Sequence, residues 1–196
     1  MSARLSDPEL VETVAVGLAG LRNLLDALET MNQFAKSKRL SMQMEYFDPA
    51  LVVRDAITVM RMDLNFRARA VEVDAKRDAF PLLMADRQKL VQVLVNLLRN
   101  GAQATRVDQR IWVRMELTEA GRIRYIVEDE GPGISPEVKD RLFEAFASTK
   151  NEQGMGMGLY MSRMIVEHHG GEMRCVERTG GGARFEIDLL PAVLEG

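Results

Sequence analysis

The segment from Asp86 to Ala104 constrains the fold of this 196-residue chain more than any other. Asp86 can cap a helix that runs through Ala104, and most of that helix is apolar, so it has to pack against other elements. Asn96 and Asn100 stand four residues apart and project from one face of the helix. A buried amide without a partner costs about 1–3 kcal/mol. The two amides therefore either bind a metal-bound phosphate and its water shell or serve as structural amides, and their spacing alone leaves both roles open.

The chain beyond residue 40 alternates between helical and strand patterns. The predicted elements, in order, are a strand whose buried face carries Met42, Met44 and Tyr46, a helix from Asp48 to about Arg67, short strands at Val71–Val73 and Leu82–Met84, the helix capped by Asp86, strands Ile111–Leu117 and Arg122–Glu128 joined at Ala120-Gly121, a short helix Pro136–Phe143, a loop over 144–156, a helix Gly158–His168, and strands Glu172–Glu177 and Ala183–Leu189 turned by Gly180–Gly182. This order predicts an α+β fold in which helices cover one face of a mixed sheet.

The residues before the polar run Lys36–Arg39 predict one long helix. Apolar residues recur in steps of three and four, the spacing of a coiled-coil seam, at Val11, Val14, Leu18, Leu21, Leu25 and Leu28. Such a helix packs either on the domain that follows or in a dimeric bundle, and the strict register favours the bundle. The predicted organisation is a helical dimerisation stem over residues 1–40 and a second domain over 41–196.

Composition excludes several classes of function. The net charge is −3 and the basic residues are mixed with acidic ones, so no nucleic-acid partner is expected. The single cysteine, Cys175, excludes an internal disulfide, fits a reducing compartment and is interpreted as a small strand residue. The longest apolar stretch, Leu90–Leu98, is too short to span a membrane, and no apolar signal region follows Met1. We therefore expect a cytoplasmic chain without direct membrane contact, either by itself or as the soluble part of a larger receptor.

Asp129 ends a predicted strand and is followed by Glu-Gly-Pro-Gly. A carboxylate in this position can accept a hydrogen bond from the exocyclic amine of adenine, and Gly131 and Gly133 permit a close turn. The same four residues also fit an ordinary turn. This motif is therefore a weak signal by itself.

Two further motifs follow, Phe143-Glu-Ala-Phe-Ala-Ser-Thr-Lys150 and Gly154-Met-Gly156-Met-Gly158-Leu159. Alternate glycines that lead into a helix expose backbone N–H groups at its positive end, which suits phosphates. The spacing matches neither a P-loop nor a dinucleotide-binding fingerprint. The glycines predict a mobile lid, and Lys150 is either a phosphate ligand or an ordinary solvated lysine.

The ordered set resembles the ATPase superfamily shared by DNA gyrase, large heat-shock chaperones, mismatch-repair ATPases and sensor histidine kinases. Residues 45–190 are most similar to the catalytic domain of histidine kinases. Asn96–Asn100 is similar to the N box of that family, Asp129–Gly133 to its G1 box, Phe143–Phe146 to its F box and Gly154–Gly158 to its G2 box.

The resemblance implies a Bergerat-type α/β sandwich that binds ATP and Mg²⁺. It implies that Asn100 is the Mg²⁺ ligand and that Asp129 contacts the adenine amine. The residues that it assigns to nucleotide binding are Asn96, Asn100, Asp129, Gly131, Gly133, Phe143, Thr149, Lys150, Gly154, Gly156, Gly158 and Leu159. The F box lacks the Pro and the third Phe common in the family, and Gly101 replaces the usual Ala, but neither change removes a ligand.

Position 96 separates the branches of this superfamily. Gyrase-like and chaperone-like members resemble one another in carrying a Glu one helical turn before the metal-binding Asn, as the base that activates water. An amide cannot take a proton from water at neutral pH, so Asn96 favours a kinase that presents ATP to a protein nucleophile.

The histidine that such kinases phosphorylate is missing from the sequence. Its two histidines, His168 and His169, end the lid helix, where the helix dipole favours an imidazolium. The segment Glu9–Lys36 instead resembles the second dimerisation helix of the family. The prediction is therefore the ATP-binding domain of a protein-histidine kinase that does not phosphorylate itself in isolation.

The partners that this resemblance implies are a His-containing dimerisation helix or domain, a response regulator receiver domain, and a second copy of the chain bound through the N-terminal helix. Two alternatives stay open. One is a non-catalytic nucleotide-binding interaction module, and the other is an ATP-driven conformational clamp of the gyrase or chaperone class.

Overall fold

The computed structural model describes residues 41–63, 66, 69–75, 80–145 and 156–193, together with residues 11, 13, 14 and 17. Those last four residues are helical, and the side chains of Val11 and Val14 are exposed. The rest of the predicted stem lies outside the described residues. Within the described part of the chain, no helix is long and apolar enough to span a membrane.

A five-stranded sheet underlies the domain. Its strands, in spatial order, are β2 (Ala70–Ala75), β4 (Arg110–Leu117), β5 (Ile123–Asp129), β7 (Ala183–Leu189) and β6 (Glu172–Glu177). The pair β2–β4 is parallel and the other neighbouring pairs are antiparallel. A separate antiparallel pair joins β1 (Glu45–Phe47) to β3 (Leu83–Ala85). The predicted α+β class with a mixed sheet is confirmed.

The helices whose bounds lie in the described part of the chain are α1 (Ala50–Met60), α2 (Arg87–Ala104), α3 (Pro136–Lys139) and α4 (Gly158–His168). Helix α2 packs against α1, α4 and β5. As predicted, Asp86 caps α2, because its Oδ1 accepts a hydrogen bond from the Lys89 backbone N–H at 3.0 Å. The apolar side of α2 is buried in the core through Leu90, Val93, Leu94, Leu97 and Leu98.

The two faces of the sheet differ in chemistry. The face towards α2 is apolar and contributes Ile111, Val113 and other buried side chains to the core. The opposite face carries paired charges. The strand register places Glu128 opposite Arg184, and the two side chains form an ion pair at 2.8 Å. Arg114 also reaches Glu128, at 2.7 Å. These pairings satisfy carboxylates that the packing buries.

The predicted orientation of the first strand is wrong. Met44 and Tyr46 are exposed and Met42 is only half-buried, whereas Phe47 is buried in the core. The reason is the pairing with β3, which places Tyr46 opposite Met84 on the outer face and Phe47 opposite the buried Leu83. A shift of one residue exchanges the two faces of a strand.

Two predicted helices are shorter than expected. Helix α1 ends at Met60 instead of Arg67, because the N–H groups of Met62 and Asp63 bond to carbonyls three residues back and close the helix. Helix α3 has four residues, and turns with the same three-residue spacing follow it. The predicted loop over 144–156 lies mostly outside the described residues.

Candidate functional site

Asp129 lies buried at the end of β5, where the strand meets the helical layer. Its Oδ1 accepts a hydrogen bond from the Gly131 N–H at 2.8 Å and a longer one from the Ala183 N–H at 3.3 Å. These donors fix the carboxyl group before any ligand binds. A buried and oriented carboxylate can select a ligand that donates a hydrogen bond.

Three backbone segments approach one another closely at Asp129. A Cβ atom on Gly182, in the β6–β7 turn, would lie 1.8 Å from the Asp129 carbonyl oxygen, and the φ of Gly182 is +88°. A Cβ on Gly131 would lie 3.0 Å from the carbonyl oxygen of Ala104, at the end of α2. Glycines thus allow the loop after β5 to pass between α2 and the β6–β7 turn.

Asn100 lies on α2, one residue before the contact of that helix with Asp129. A Cβ on Gly101 would stand 3.5 Å from the Cβ of Asp129, so this turn of α2 faces the carboxyl group. The Asn100 side chain is half-buried. Amide oxygens suit Mg²⁺, which usually binds few protein groups and completes its shell with water and substrate phosphates. Among the described residues, no group of three or more His, Cys, Asp and Glu could hold a metal ion.

Asn96 lies one turn earlier on α2 and contacts the start of α4. Its Nδ2 donates a hydrogen bond to the Ser162 Oγ at 3.0 Å. A Cβ on Gly158 would lie only 2.4 Å from the Asn96 Oδ1. Ser162 is not among the residues predicted for the site, and it is buried. Its signal in the sequence is a polar residue beside Met161 on the buried side of an amphipathic helix.

The N-terminus of α4 presents backbone donors. Gly156 has a φ of +65°, and Met157 precedes the helix without forming a side-chain cap. The N–H groups of Gly158, Leu159 and Tyr160 therefore stand at a positive helix end that attracts anions. Leu159 packs partly on the core, so this end of the helix is anchored.

Phe143 belongs to the turn after α3. Its ring contacts α4, because the Arg163 guanidinium lies 5.4 Å from the ring centroid. Phe143 also packs partly against the core. Phe146, Thr149, Lys150 and Gly154 lie outside the described residues.

Two clefts flank these residues. One, of about 600 Å³, runs between α2 and α4 and is lined by Asn96, Arg99, Gly158 and Ser162 among others. The other, of about 700 Å³, is lined by Gly133, Cys175 and the β6–β7 turn. Burial raises the pKa of the Cys175 thiol, which disfavours the reactive thiolate.

The structure thus brings several of the predicted residues together in two groups, which lie beside successive turns of α2. Asn96 and Gly158 meet beside the first cleft, and Asp129 and Gly131 meet at the end of α2 near Gly101. Gly182 and the Ala183 N–H complete the second group, although neither residue is predicted for the site from the sequence. Gly182 was predicted only as part of a turn.

Comparison of the sequence with known protein families shows which family has this arrangement of residues. Residues 85–193, more than half of the chain, match the model of the family described as histidine kinase-, DNA gyrase B-, and HSP90-like ATPase. The chain belongs to this ATPase family. The predicted resemblance is confirmed, and the matched range holds α2, Asp129 and α4.

Curated relatives of this ATPase domain are sensor proteins. The chain is 46% identical over 119 residues to the C4-dicarboxylate transport sensor protein DctS of Rhodobacter capsulatus, covering 59% of this chain and 18% of DctS. It is 42% identical over 113 residues to the sensor protein FixL of Bradyrhizobium diazoefficiens, covering 57% and 22%. It is 31% identical over 153 residues to the sensor histidine kinase ZraS of Escherichia coli O157:H7, covering 78% and 32%. The chain therefore spans about a fifth to a third of the length of these relatives.

Solved structures agree with this family. The catalytic domain of histidine kinase ThkA, in a nucleotide-free form, is 27% identical with a TM-score of 0.67, and the match covers 76% of this chain and 96% of ThkA. Full-length ShkA in complex with AMPPNP is 24% identical with a TM-score of 0.74, and the match covers 87% of this chain and 37% of ShkA. This second match supports the fold. The ATPase domain is thus of the type found in sensor histidine kinases.

Proposed function

We propose that this chain binds Mg-ATP between α2 and α4 and presents the γ-phosphate to a histidine on another helix, as the catalytic domain of a sensor histidine kinase. The observation that carries the proposal is the buried Asp129 carboxyl group, held by two backbone donors beside the end of α2. Residues 1–40 would form the dimerisation stem, and residues 41–196 the catalytic domain.

Asp129 would fix the adenine base. One oxygen, Oδ1, already accepts from Gly131 and Ala183, which holds the carboxyl plane in place. The carboxylate would accept a hydrogen bond from the exocyclic amine of adenine. Guanine presents an acceptor at the equivalent position, so the same carboxylate would discriminate against it.

Asn100 would supply the protein ligand for Mg²⁺, which neutralises phosphate charge during phosphoryl transfer. The half-buried side chain fits a ligand to an ion whose other ligands are water and phosphate oxygens. The N–H groups at the start of α4 would receive the phosphates. Of the residues outside the described part, Thr149, Lys150 and Gly154 would belong to the lid above them.

A histidine-bearing helix and a second copy of the chain are the expected partners. Val11 and Val14 occupy two positions of the predicted seam, and both are exposed in the single chain, 56% and 53% respectively. An amphipathic helix buries such residues against another helix. The relatives are sensor proteins, so we also propose a response regulator receiver domain as the final phosphoryl acceptor.

Phosphoryl transfer in trans tests the proposal. The full chain is incubated with Mg²⁺, γ-labelled ATP and a separate dimerisation domain that carries a histidine, and the labelled product is checked for acid-labile phosphohistidine. We expect label on the added domain, and much less of it with the Asp129→Asn variant at an ATP concentration near the Kd of the parent. Nucleotide binding without any transfer to the dimerisation domains of several relatives would contradict the kinase and favour a nucleotide-dependent binding module.

A further inference from the structure

The Asn96 carboxamide is held on both sides by the first turns of α4. Its Nδ2 bonds to the buried Ser162 Oγ at 3.0 Å, and its Oδ1 faces Gly158 so closely that a Cβ there would lie 2.4 Å away. Gly158 and Ser162 are four residues apart and share one face of α4. The amide therefore fits between two successive turns of that helix.

This contact fixes the helix end that faces the proposed phosphates. The N-terminus of α4 has no side-chain cap, so the described residues hold it by packing and by the Asn96 contact. Met157 and Met161 bury the same end of α4 against the domain. A shift of this helix along α2 would move the N–H groups of Gly158 and Leu159 away from a bound phosphate.

 In the same contact the Asn96 Oδ1, the atom with which an amide would bind a metal, faces the Gly158 backbone.

We propose that Asn96 is a positioning residue for α4, whereas Asn100 alone of the two amides binds the metal. The inference rests on the proposed nucleotide site. The two amides on one helix face then have different roles. A glycine is needed at position 158 because a Cβ there would collide with the Asn96 Oδ1. The inference also adds Ser162 to the residues on which nucleotide affinity depends.

The Mg²⁺ dependence of ADP binding separates the two roles. ADP is titrated calorimetrically into the full chain with Mg²⁺ and with EDTA, and the ratio of the two Kd values is compared among variants. Asn100→Ala should lose most of the Mg²⁺ effect. Asn96→Ala and Ser162→Ala should weaken ADP about three- to tenfold under both conditions and leave the ratio unchanged. Gln103→Ala, an exposed amide on the same helix, is the matched control and should bind as the parent does.

Two combined variants test the contact itself. Asn96→Ala/Ser162→Ala should bind ADP as weakly as either single variant, because both remove one interaction. Gly158→Ala should weaken binding in the parent, where its Cβ meets the Asn96 Oδ1, and should do so less in the Asn96→Ala background. The ratio of the Kd values with Mg²⁺ and with EDTA compares two titrations of the same protein. Partial unfolding of a variant therefore affects both titrations alike.

The outcomes are distinguishable. If Asn96→Ala loses the Mg²⁺ effect as Asn100→Ala does, Asn96 is a metal ligand and the inference is wrong. Additive losses in the double variant would also overturn it. If the parent binds no ADP under either condition, the proposed function itself fails.

Discussion

The imidazole of His169 accepts a hydrogen bond at Nε2 from the backbone N–H of Asp86, 2.9 Å away. Its Nδ1 lies 2.7 Å from the Ile165 carbonyl oxygen, so the neutral ring carries its proton on Nδ1. Asp86 also caps α2 and accepts from the Gln43 N–H at 2.9 Å. One residue thus connects the start of the domain, the start of α2 and the end of α4.

The pH dependence of stability should report this contact. Burial lowers the pKa of His169 below its usual value of 6.5, so the imidazolium expected at this helix end is disfavoured, although the Ile165 carbonyl and the Asp86 charge act in the opposite direction. The unfolded chain therefore binds a proton at a higher pH than the folded one. The contribution is complete above about pH 6.5 and is lost as the pH falls towards the lower folded pKa.

Replacement of the ring tests this sign. In urea unfolding, the parent should lose free energy of unfolding between about pH 7 and 5, and His169→Gln should lose less over the same range. His168→Gln is the matched control, since His168 is exposed and adjacent, and its slope should stay closer to that of the parent than the slope of His169→Gln does. Equal slopes for the parent and His169→Gln would contradict the assignment.

Asp129→Asn should weaken adenine binding while leaving the fold intact. The amide oxygen can still accept from Gly131 and Ala183, but its NH₂ group then faces the adenine amine, donor against donor. An unsatisfied buried donor costs about 1–3 kcal/mol, which corresponds to a roughly 5- to 150-fold higher Kd for ADP. Calorimetry measures this change, and an unaltered Kd together with an unaltered Tm would remove Asp129 from the site.

The two ends of the glycine turn should respond differently to alanine. Gly180→Ala introduces a left-handed alanine into open space, with an expected loss of about 1–2 kcal/mol in stability. Gly182→Ala adds a Cβ directly onto the Asp129 carbonyl oxygen and should be clearly worse. Urea unfolding of both variants checks the order, and equal losses would show that the β6–β7 turn does not press on Asp129.

Gly101→Ala should stabilise the domain. Its Cβ would stand 3.5 Å from the Asp129 Cβ and 3.6 Å from the Ile111 Cδ1, both ordinary contacts. Glycine inside a helix is about 0.8–1.0 kcal/mol less favourable than alanine, so the free energy of unfolding should rise by about that amount. A fall in Tm would mean that the space above Asp129 is tighter than the structure indicates.

The element bounds that were predicted most accurately from the sequence are those marked by glycines. Helix α4 and strands β6 and β7 have the predicted bounds, because Gly158, Gly170-Gly171 and Gly180–Gly182 mark their ends. Local residue chemistry determines these boundaries. The hairpin between β4 and β5 follows the same rule, with Gly121 at a φ of +73°.

Features that depend on a distant partner could not be predicted. The outward orientation of Tyr46 follows from its pairing with Met84, 38 positions further along the chain. Likewise, nothing near Asn96 in the sequence indicates its bond to Ser162, which is 66 residues away. Motif spacing thus yields a prediction of which side chains belong to the site, but tertiary packing decides which of them touch one another.

The most direct test of the central claim is a calorimetric titration of the full chain with ADP, with and without Mg²⁺, beside Asn100→Ala and Asp129→Asn. We expect one saturable site that Mg²⁺ strengthens in the parent, loss of the Mg²⁺ effect in Asn100→Ala, and weak binding under both conditions in Asp129→Asn. If the parent binds no adenine nucleotide, or if both variants bind ADP as the parent does, the nucleotide does not lie between α2 and α4.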